Sequence, residues 1–181
     1  MGTGEEWVHG SAPYVRARAE GERDAWSEET AARGRSGSQR IVRAGETAAP
    51  AEVARLLGVG EGEVVVERCR VILLDGEPTE VTVTYYPVSV ARGTALAGTS
   101  KIRGGAVTLL AALGHRARTV REDVRARLPL PAEREALGLT AADPVLELVR
   151  VTLDADGTAF QVDVSAFSAA AQRLHYELRV D

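Results

Sequence analysis

At 181 residues, 45% hydrophobic and 27% charged, the chain has the size and make-up of one globular domain with a full core. A net charge of −4 excludes the basic, phosphate-neutralising surface of a nucleic-acid binder, and a single cysteine, Cys69, excludes an intrachain disulfide and fits a reducing compartment. The N-terminal MGTGEEWVHG has no apolar stretch of the signal-peptide kind and no run reaches membrane-spanning length, so a soluble, cytoplasmic protein is expected.

Residues 1–40 are poor in aliphatics and rich in Arg, Glu, Gly and Ser, and Arg33 to Ser38 (RGRSGS) has the composition of a flexible linker. Trp7, Tyr14, Val15 and Trp26 are costly to leave in water, so part of this arm is expected to dock on the domain or on a second subunit. The regular domain is placed at 41–181, with a short strand at Gln39–Gly45 leading in. Pro50 to Leu57 is predicted as a helix capped by Gly58. Val64 to Leu74 and Glu77 to Tyr86 then form a hairpin about Asp75-Gly76. Further elements are a helix at Ala106–Leu113 and a strand at Thr119–Leu128. A helix follows at Pro131–Leu137, then strands at Val145–Leu153 and Thr158–Ser165. A final strand is marked by Leu174, Tyr176, Leu178 and Val180.

The hairpin carries the main functional signal. Cys69, Val71 and Leu73 alternate with Arg68 and Arg70, and Val81, Val83 and Tyr85 alternate with Thr82 and Thr84. A connection of odd length, such as Asp75-Gly76-Glu77, matches polar with polar across the strands and gathers Arg68, Arg70, Thr82 and Thr84 on one face. Two guanidinium forks with hydroxyls suit a phosphate or carboxylate. Taken alone, the pattern fits a solvated sheet face better than an anion site.

An internal repeat changes that balance. Leu57-Gly58-Val59 recurs eighty residues on as Leu137-Gly138-Leu139, and at the same offset Glu67, Arg70, Val71 and Leu73 meet Glu147, Arg150, Val151 and Leu153. With one inserted residue, Asp75-Gly76 meets Asp156-Gly157. Each unit reads helix, glycine cap, strand, turn, strand. Two units predict two pseudo-equivalent hairpins in one antiparallel sheet with flanking helices, an α+β fold. Arg68 is answered by Leu148 in the second unit, an asymmetry that points to function for the Arg68/Arg70 face. If so, Arg68→Ala should leave stability nearly intact.

Several runs carry a resemblance. They are R-x-R-x-x-x-x-D-G-E-P from Arg68 to Pro78, Y-x-P at Tyr85–Pro87, and Gly104-Gly105 before L-x-x-L-G at Leu110–Gly114. E-D-V-x-A-R (Glu122–Arg127), L-G-L (Leu137–Leu139), P-V-L-E-L-x-R (Pro144–Arg150) and D-x-D-G (Asp154–Gly157) follow. In order and spacing, residues 40–180 or so resemble the UTRA effector-binding domain of GntR-type transcription regulators of the histidine-utilisation-repressor group. The resemblance implies a chorismate lyase-like fold, a homodimer and a small anionic effector such as a sugar phosphate or a carboxylate. It also implies that Arg68 and Arg70 clamp the anion, with backbone N–H groups supplied at Gly104-Gly105. Members that bind sugar phosphates often have a serine and then an aromatic where this chain has Gly105 and Val107, and an acid where it has Thr82. The winged helix-turn-helix of such regulators does not fit into residues 1–40. The chain is therefore either part of a longer regulator or a stand-alone sensor, and the initiator-like Met1 and acidic arm favour the second. By itself it is not expected to bind DNA specifically.

Other residues weigh less. His9, His115 and His175 lack metal-ligand spacing, and Cys69 reads as a buried, inert thiol. Tyr85, Tyr86 and Tyr176 read as core or interface. Lys101 and Arg103 either add charge to the anion site or coat a loop. Glu122, on the apolar side of its strand, is either a pocket acid or the partner of a sheet arginine, the latter preferred. No cofactor or metal is called for. Two further functions stay open: an enzyme acting on chorismate, with Glu122 as acid, and a dimerisation module without a ligand.

Overall fold

A computed structural model describes residues 6–19, 22–177 and 180. Its centre is a six-stranded antiparallel sheet in the order β2-β3-β4-β7-β6-β5. The strands are β2 (Gly37–Ala48), β3 (Val64–Leu74), β4 (Glu77–Pro87), β5 (Thr119–Arg127), β6 (Val145–Leu153) and β7 (Ala159–Ser168). A small second sheet pairs β1 (Trp7–His9) with β8 (Gln172–Leu174) in parallel. The helices are α1 (Ala25–Ala32), α2 (Ala51–Leu57), α3 (Val88–Ala91), α4 (Ala106–Ala112) and α5 (Pro131–Leu137).

The repeat is realised as a pseudo-twofold axis between the central strands. Val83 of β4 faces Val164 of β7, the two positions that the repeat makes equivalent, with Thr82 opposite Ser165 and Thr84 opposite Asp163 on either side. α2 and α5 end in left-handed glycines, Gly58 (φ 72°) and Gly138 (φ 64°), where a side chain would cost conformational energy. Both helices lie over the apolar face, where Leu57, Val65, Tyr85, Val149, Val151 and Val162 form the main core.

The hairpin register is reached by a different route from the odd-length loop expected. Asp75 (φ 52°) and Gly76 (φ 89°) make a two-residue left-handed turn between Leu74 and Glu77, the geometry that suits the twist of paired strands. By itself this turn would set Arg70 against Val81. Instead Leu73 faces Pro78 and Ile72 faces Glu80, so Thr79 is an extra, bulged residue. The bulge restores the polar match, with Arg68 opposite Thr84 and Arg70 opposite Thr82. β6 and β7 repeat the device at Phe160, the equivalent position.

The polar face is not solvated. It is roofed by α4, by the loop before it and by the arm. Arg68 is 2% exposed and donates from Nη2 to the Ser100 carbonyl at 2.6 Å and from Nη1 to the Gly98 carbonyl. Thr82 and Thr84 are buried as well. The asymmetry between Arg68 and Leu148 thus has a structural component: Arg68 holds a loop that the second repeat lacks.

Other expectations change in detail. The RGRSGS stretch is not a linker. Gly34 and Arg35 donate to the Ala31 and Thr30 carbonyls and close α1, and Gly37 already belongs to β2. A Cβ at Gly37 would fall 2.5 Å from Thr30 Oγ1 and 2.8 Å from the Trp26 ring, so only glycine lets α1 lie so close to the sheet. The arm is fastened by Trp7 and Trp26, edge to face at 5.1 Å, packed on Ile72 and Leu74, and by Trp26 Nε1 donating to the Leu73 carbonyl at 2.9 Å. The C-terminal strand stops at Leu174, because its partner β1 has only three residues; Tyr176 lies beyond it and Leu178 is outside the described residues. On β5, Val124 is exposed rather than buried, as is Leu128 just after it, because β5 is an edge strand.

Two predictions concern this framework. Arg68→Ala leaves two carbonyls without their donors, so a loss of about 2 kcal/mol in unfolding free energy is expected from urea titration. A change below about 0.5 kcal/mol would dismiss the anchor. His9, stacked on Tyr14 at 4.7 Å and set against Phe167 at 5.1 Å, has its pKa pushed down to about 4 by burial, with Arg150 adding to the effect and Glu122 opposing it. The unfolded chain therefore takes up this proton first, near 6.5. Stability falls as pH drops from about 6.5 to about 4, by about 3 kcal/mol through this group, and the contribution is constant below. His9→Gln should lose less stability than wild type across that window; parallel pH profiles would refute the assignment.

Candidate functional site

Between the polar floor of the sheet and its roof lies a cavity of about 140 Å³, room for one small metabolite or several waters. The floor combines Arg68, Arg70, Glu80 and Thr82 from the first hairpin with Leu148, Arg150, Asp163 and Ser165 from the second. The Gly104-Gly105 turn and the start of α4 form one wall. The arm forms another, through His9, Tyr14, Arg16, Arg18 and Trp26.

Hydrogen bonds order this floor. Arg70 Nη2 donates to Thr84 Oγ1 at 3.0 Å, and Thr84 Oγ1 donates to Asp163 Oδ1 at 2.6 Å. Gln161 Nε2 donates to Asp163 Oδ2 at 2.7 Å, and Ser165 Oγ to Thr82 Oγ1 at 2.9 Å. Arg70 Nε is buried without a hydrogen-bond partner among the described residues. That is costly for a guanidinium and marks it as the floor's unused donor. Burial, with Arg70 alongside, pushes the Arg68 guanidinium down. Burial likewise pushes the Glu80 carboxyl up, against the opposing influence of Ser165, Arg70 and Arg150.

Of the residues singled out from sequence, Arg68, Arg70, Thr82, Gly104 and Gly105 line the cavity. Arg68, however, spends its guanidinium on the 98–100 loop. Thr84 lies beneath the floor and serves by linking Arg70 to Asp163. Lys101 is outside the cavity, paired with Asp24 at 3.2 Å. Glu122 is also outside: it pairs with Arg150 at 2.6 Å. Burial works against its ionisation, yet hydrogen bonds from Ser11 and Arg150 hold its carboxyl below the usual range. Glu122 is therefore an ionised positioning group for Arg150 rather than a poised acid.

Arg150 is the main residue that the sequence analysis passed over. It is the repeat partner of Arg70 and stands opposite Asp163 as Arg70 stands opposite Thr82. Its Nη2 donates to Ser11 at 3.0 Å, a contact between floor and arm. The repeat offset was enough to find it. Glu80 and Asp163 follow from strand alternation once the bulge is known. Nothing local in the sequence signals Arg16 or Arg18, which reach the site only through the fold of the arm.

Comparison with known proteins agrees with this architecture. The model of the UTRA domain family matches residues 32–173. An uncharacterised HTH-type transcriptional regulator of Streptomyces coelicolor is 29% identical over 135 residues, 73% of this chain and 50% of the relative, so the chain spans about half the length of the curated protein it matches. The effector domain of PhnF from Mycobacterium smegmatis superposes with a TM-score of 0.74 at 23% identity, over 86% of this chain and 94% of that one. Longer PhnF from the same organism gives 0.79 at 20% identity, over 97% and 73%. A GntR-family regulator from Bacillus cereus gives 0.67 at 20% identity, over 80% and 99%. The sheet, its two hairpins and the motifs along them are those of a single family, and the chain belongs to the UTRA domain family, with the effector-domain fold of GntR-family regulators.

Proposed function

We propose that this chain senses a small anionic metabolite for a transcription regulator, the anion lying between Arg70 and Arg150 on the polar floor. The observation that carries the reading is the buried Nε of Arg70, without a partner among the described residues, in the floor of the cavity. The Gly104-Gly105 turn supports it with backbone next to the same space. Arg68 contributes to the field while its guanidinium holds the Gly98 and Ser100 carbonyls, and the clamp we favour is Arg70 with Arg150, its repeat partner on the same cavity floor. We place the function in binding rather than catalysis because Glu122, the acid suggested for an enzyme, is ionised and tied to Arg150.

A ligand here touches the sheet and the arm together, so it favours the docked state of the arm by the difference in its affinity for the docked and undocked states. That is how occupancy would reach a DNA-binding partner or a preceding domain. Self-association belongs to the same proposal and is supported by apolar side chains exposed along one stretch, Val124 on β5 and Leu128 and Leu130 after it.

Thermal unfolding with inorganic phosphate, citrate and simple carboxylates tests the site. At 100 times the Kd, binding adds about 2.7 kcal/mol. For a chain of this size that is roughly 5–10 °C in midpoint. The shift should vanish in Arg70→Ala, whose unliganded midpoint is the control for folding; no shift with any anion would overturn the reading. Sedimentation tests the assembly: wild type should run as a dimer and Leu128→Glu as a monomer, and an unaltered dimer would remove this surface from consideration.

A further inference from the structure

The floor carries more charge than an anion needs, and of both signs. Among the described residues Arg18 is paired with Glu28, Asp24 with Lys101 and Arg150 with Glu122. Arg68 is bound to carbonyls. Besides Arg68, three charged groups of the floor stand in no ion pair among the described residues: Arg70, Glu80 and Asp163. Asp163 is nonetheless fixed by Thr84 and Gln161. Glu80 lines the cavity on the same face of β4 as Thr82, about 7 Å along the strand from it.

Two carboxyl groups without an ion-pair partner among the described residues line the same small cavity, and any negative charge they carry repels a plain anion. A site evolved for phosphate or carboxylate alone gains nothing from them. Their presence beside an unpaired arginine is the pattern expected when the ligand itself carries both charges. Its anionic end then meets Arg70 and Arg150, and its cationic end meets Glu80, with Asp163 adding to the negative field.

Resting on the anion-sensing reading, we propose that the effector is a zwitterion, a short molecule with an ammonium group a few bonds from its phosphate or carboxylate, and that Glu80 selects for the ammonium. Bound in this way, the ammonium donates to the Glu80 carboxylate. Burial otherwise pushes that carboxyl toward its neutral form, outweighing the opposing pull of Ser165, Arg70 and Arg150, and the ligand's positive charge favours the carboxylate. The cavity's modest volume limits the spacer between the two ends to a few atoms. The pseudo-twofold axis does not supply a second such site, since the position equivalent to Glu80 is Gln161, a neutral amide already donating to Asp163.

Matched probes test this without knowledge of the natural ligand. Apparent Kd is taken from thermal-shift titrations for O-phosphoethanolamine against ethyl phosphate, and for γ-aminobutyrate against butyrate. The two pairs separate a phosphate from a carboxylate end. In at least one pair the amine-bearing member should bind about tenfold more tightly, the size expected of one charge-assisted hydrogen bond. Glu80→Gln, which preserves shape and should keep the unliganded midpoint, should abolish that preference. Equal binding within each pair, or a preference that survives in Glu80→Gln, overturns the zwitterion proposal and leaves the anion sensor standing. No shift with any of the four probes overturns both.

Discussion

The binding floor exists because β4 is one residue longer than β3 across their ladder. The left-handed Asp75-Gly76 turn would by itself put Arg70 against an apolar valine, leaving either a guanidinium on the core side or Val81 in the cavity. Thr79 absorbs the mismatch, and its hydroxyl donates to the Ile72 carbonyl at 3.4 Å within the bulge. The polar match of β3 with β4, which brings Arg70 to Thr84 and through it to Asp163, depends on that one inserted residue. The second hairpin needs the same correction and makes it at Phe160, with a bulky side chain that packs instead on Tyr86 and Leu110 beneath α4.

Around this floor the molecule keeps its charges in two kinds of environment. On the far side, the buried Glu147 is bonded by Arg125 and Arg127, and Arg127 also grips Glu133 at the start of α5 at 2.6 Å. That network is closed: its acid and its bases answer each other, and it staples a helix to an edge strand. The cavity side is open, with donors and acceptors left over. A protein of marginal stability leaves buried charge unanswered only where something outside the fold repays it, and the contrast between the two faces of one sheet separates architecture from recognition.

The sheet was legible in the sequence because its signals are local or periodic. Alternation at Cys69–Leu73 and Val81–Tyr85, the glycine caps at Gly58 and Gly138, and the offset of eighty residues gave the hairpins, two helices and their equivalence. The bulge was not legible: Thr79 is unremarkable in composition, and only the cross-strand register shows it to be supernumerary. The site was half legible for the same reason. Arg70, Thr82 and the Gly104-Gly105 turn came from strand pattern and motif, whereas the difference at Arg68 and Leu148 drew attention to a residue whose guanidinium holds a loop. Arg150, the residue that matched Arg70 throughout, was passed over. The arm was the least legible part. A three-residue strand, a seated tryptophan pair and the bare backbone of Gly37 beneath Trp26 are long-range arrangements, and their composition reads as linker.

The placement of the tryptophans has an optical consequence. Trp7 and Trp26 are the chain's whole complement. Both lie in the arm, in contact with each other, and Trp26 borders the cavity. Arg33 stacks over the Trp7 ring at 4.1 Å. Indole emission of the unmodified protein is thus a local gauge of how one segment is seated on the end of β3, while the peptide circular dichroism is dominated by the strands as a whole. Should the arm leave before the sheet melts, the two signals would separate, and one unlabelled sample would report the seal of the cavity and the integrity of its floor independently.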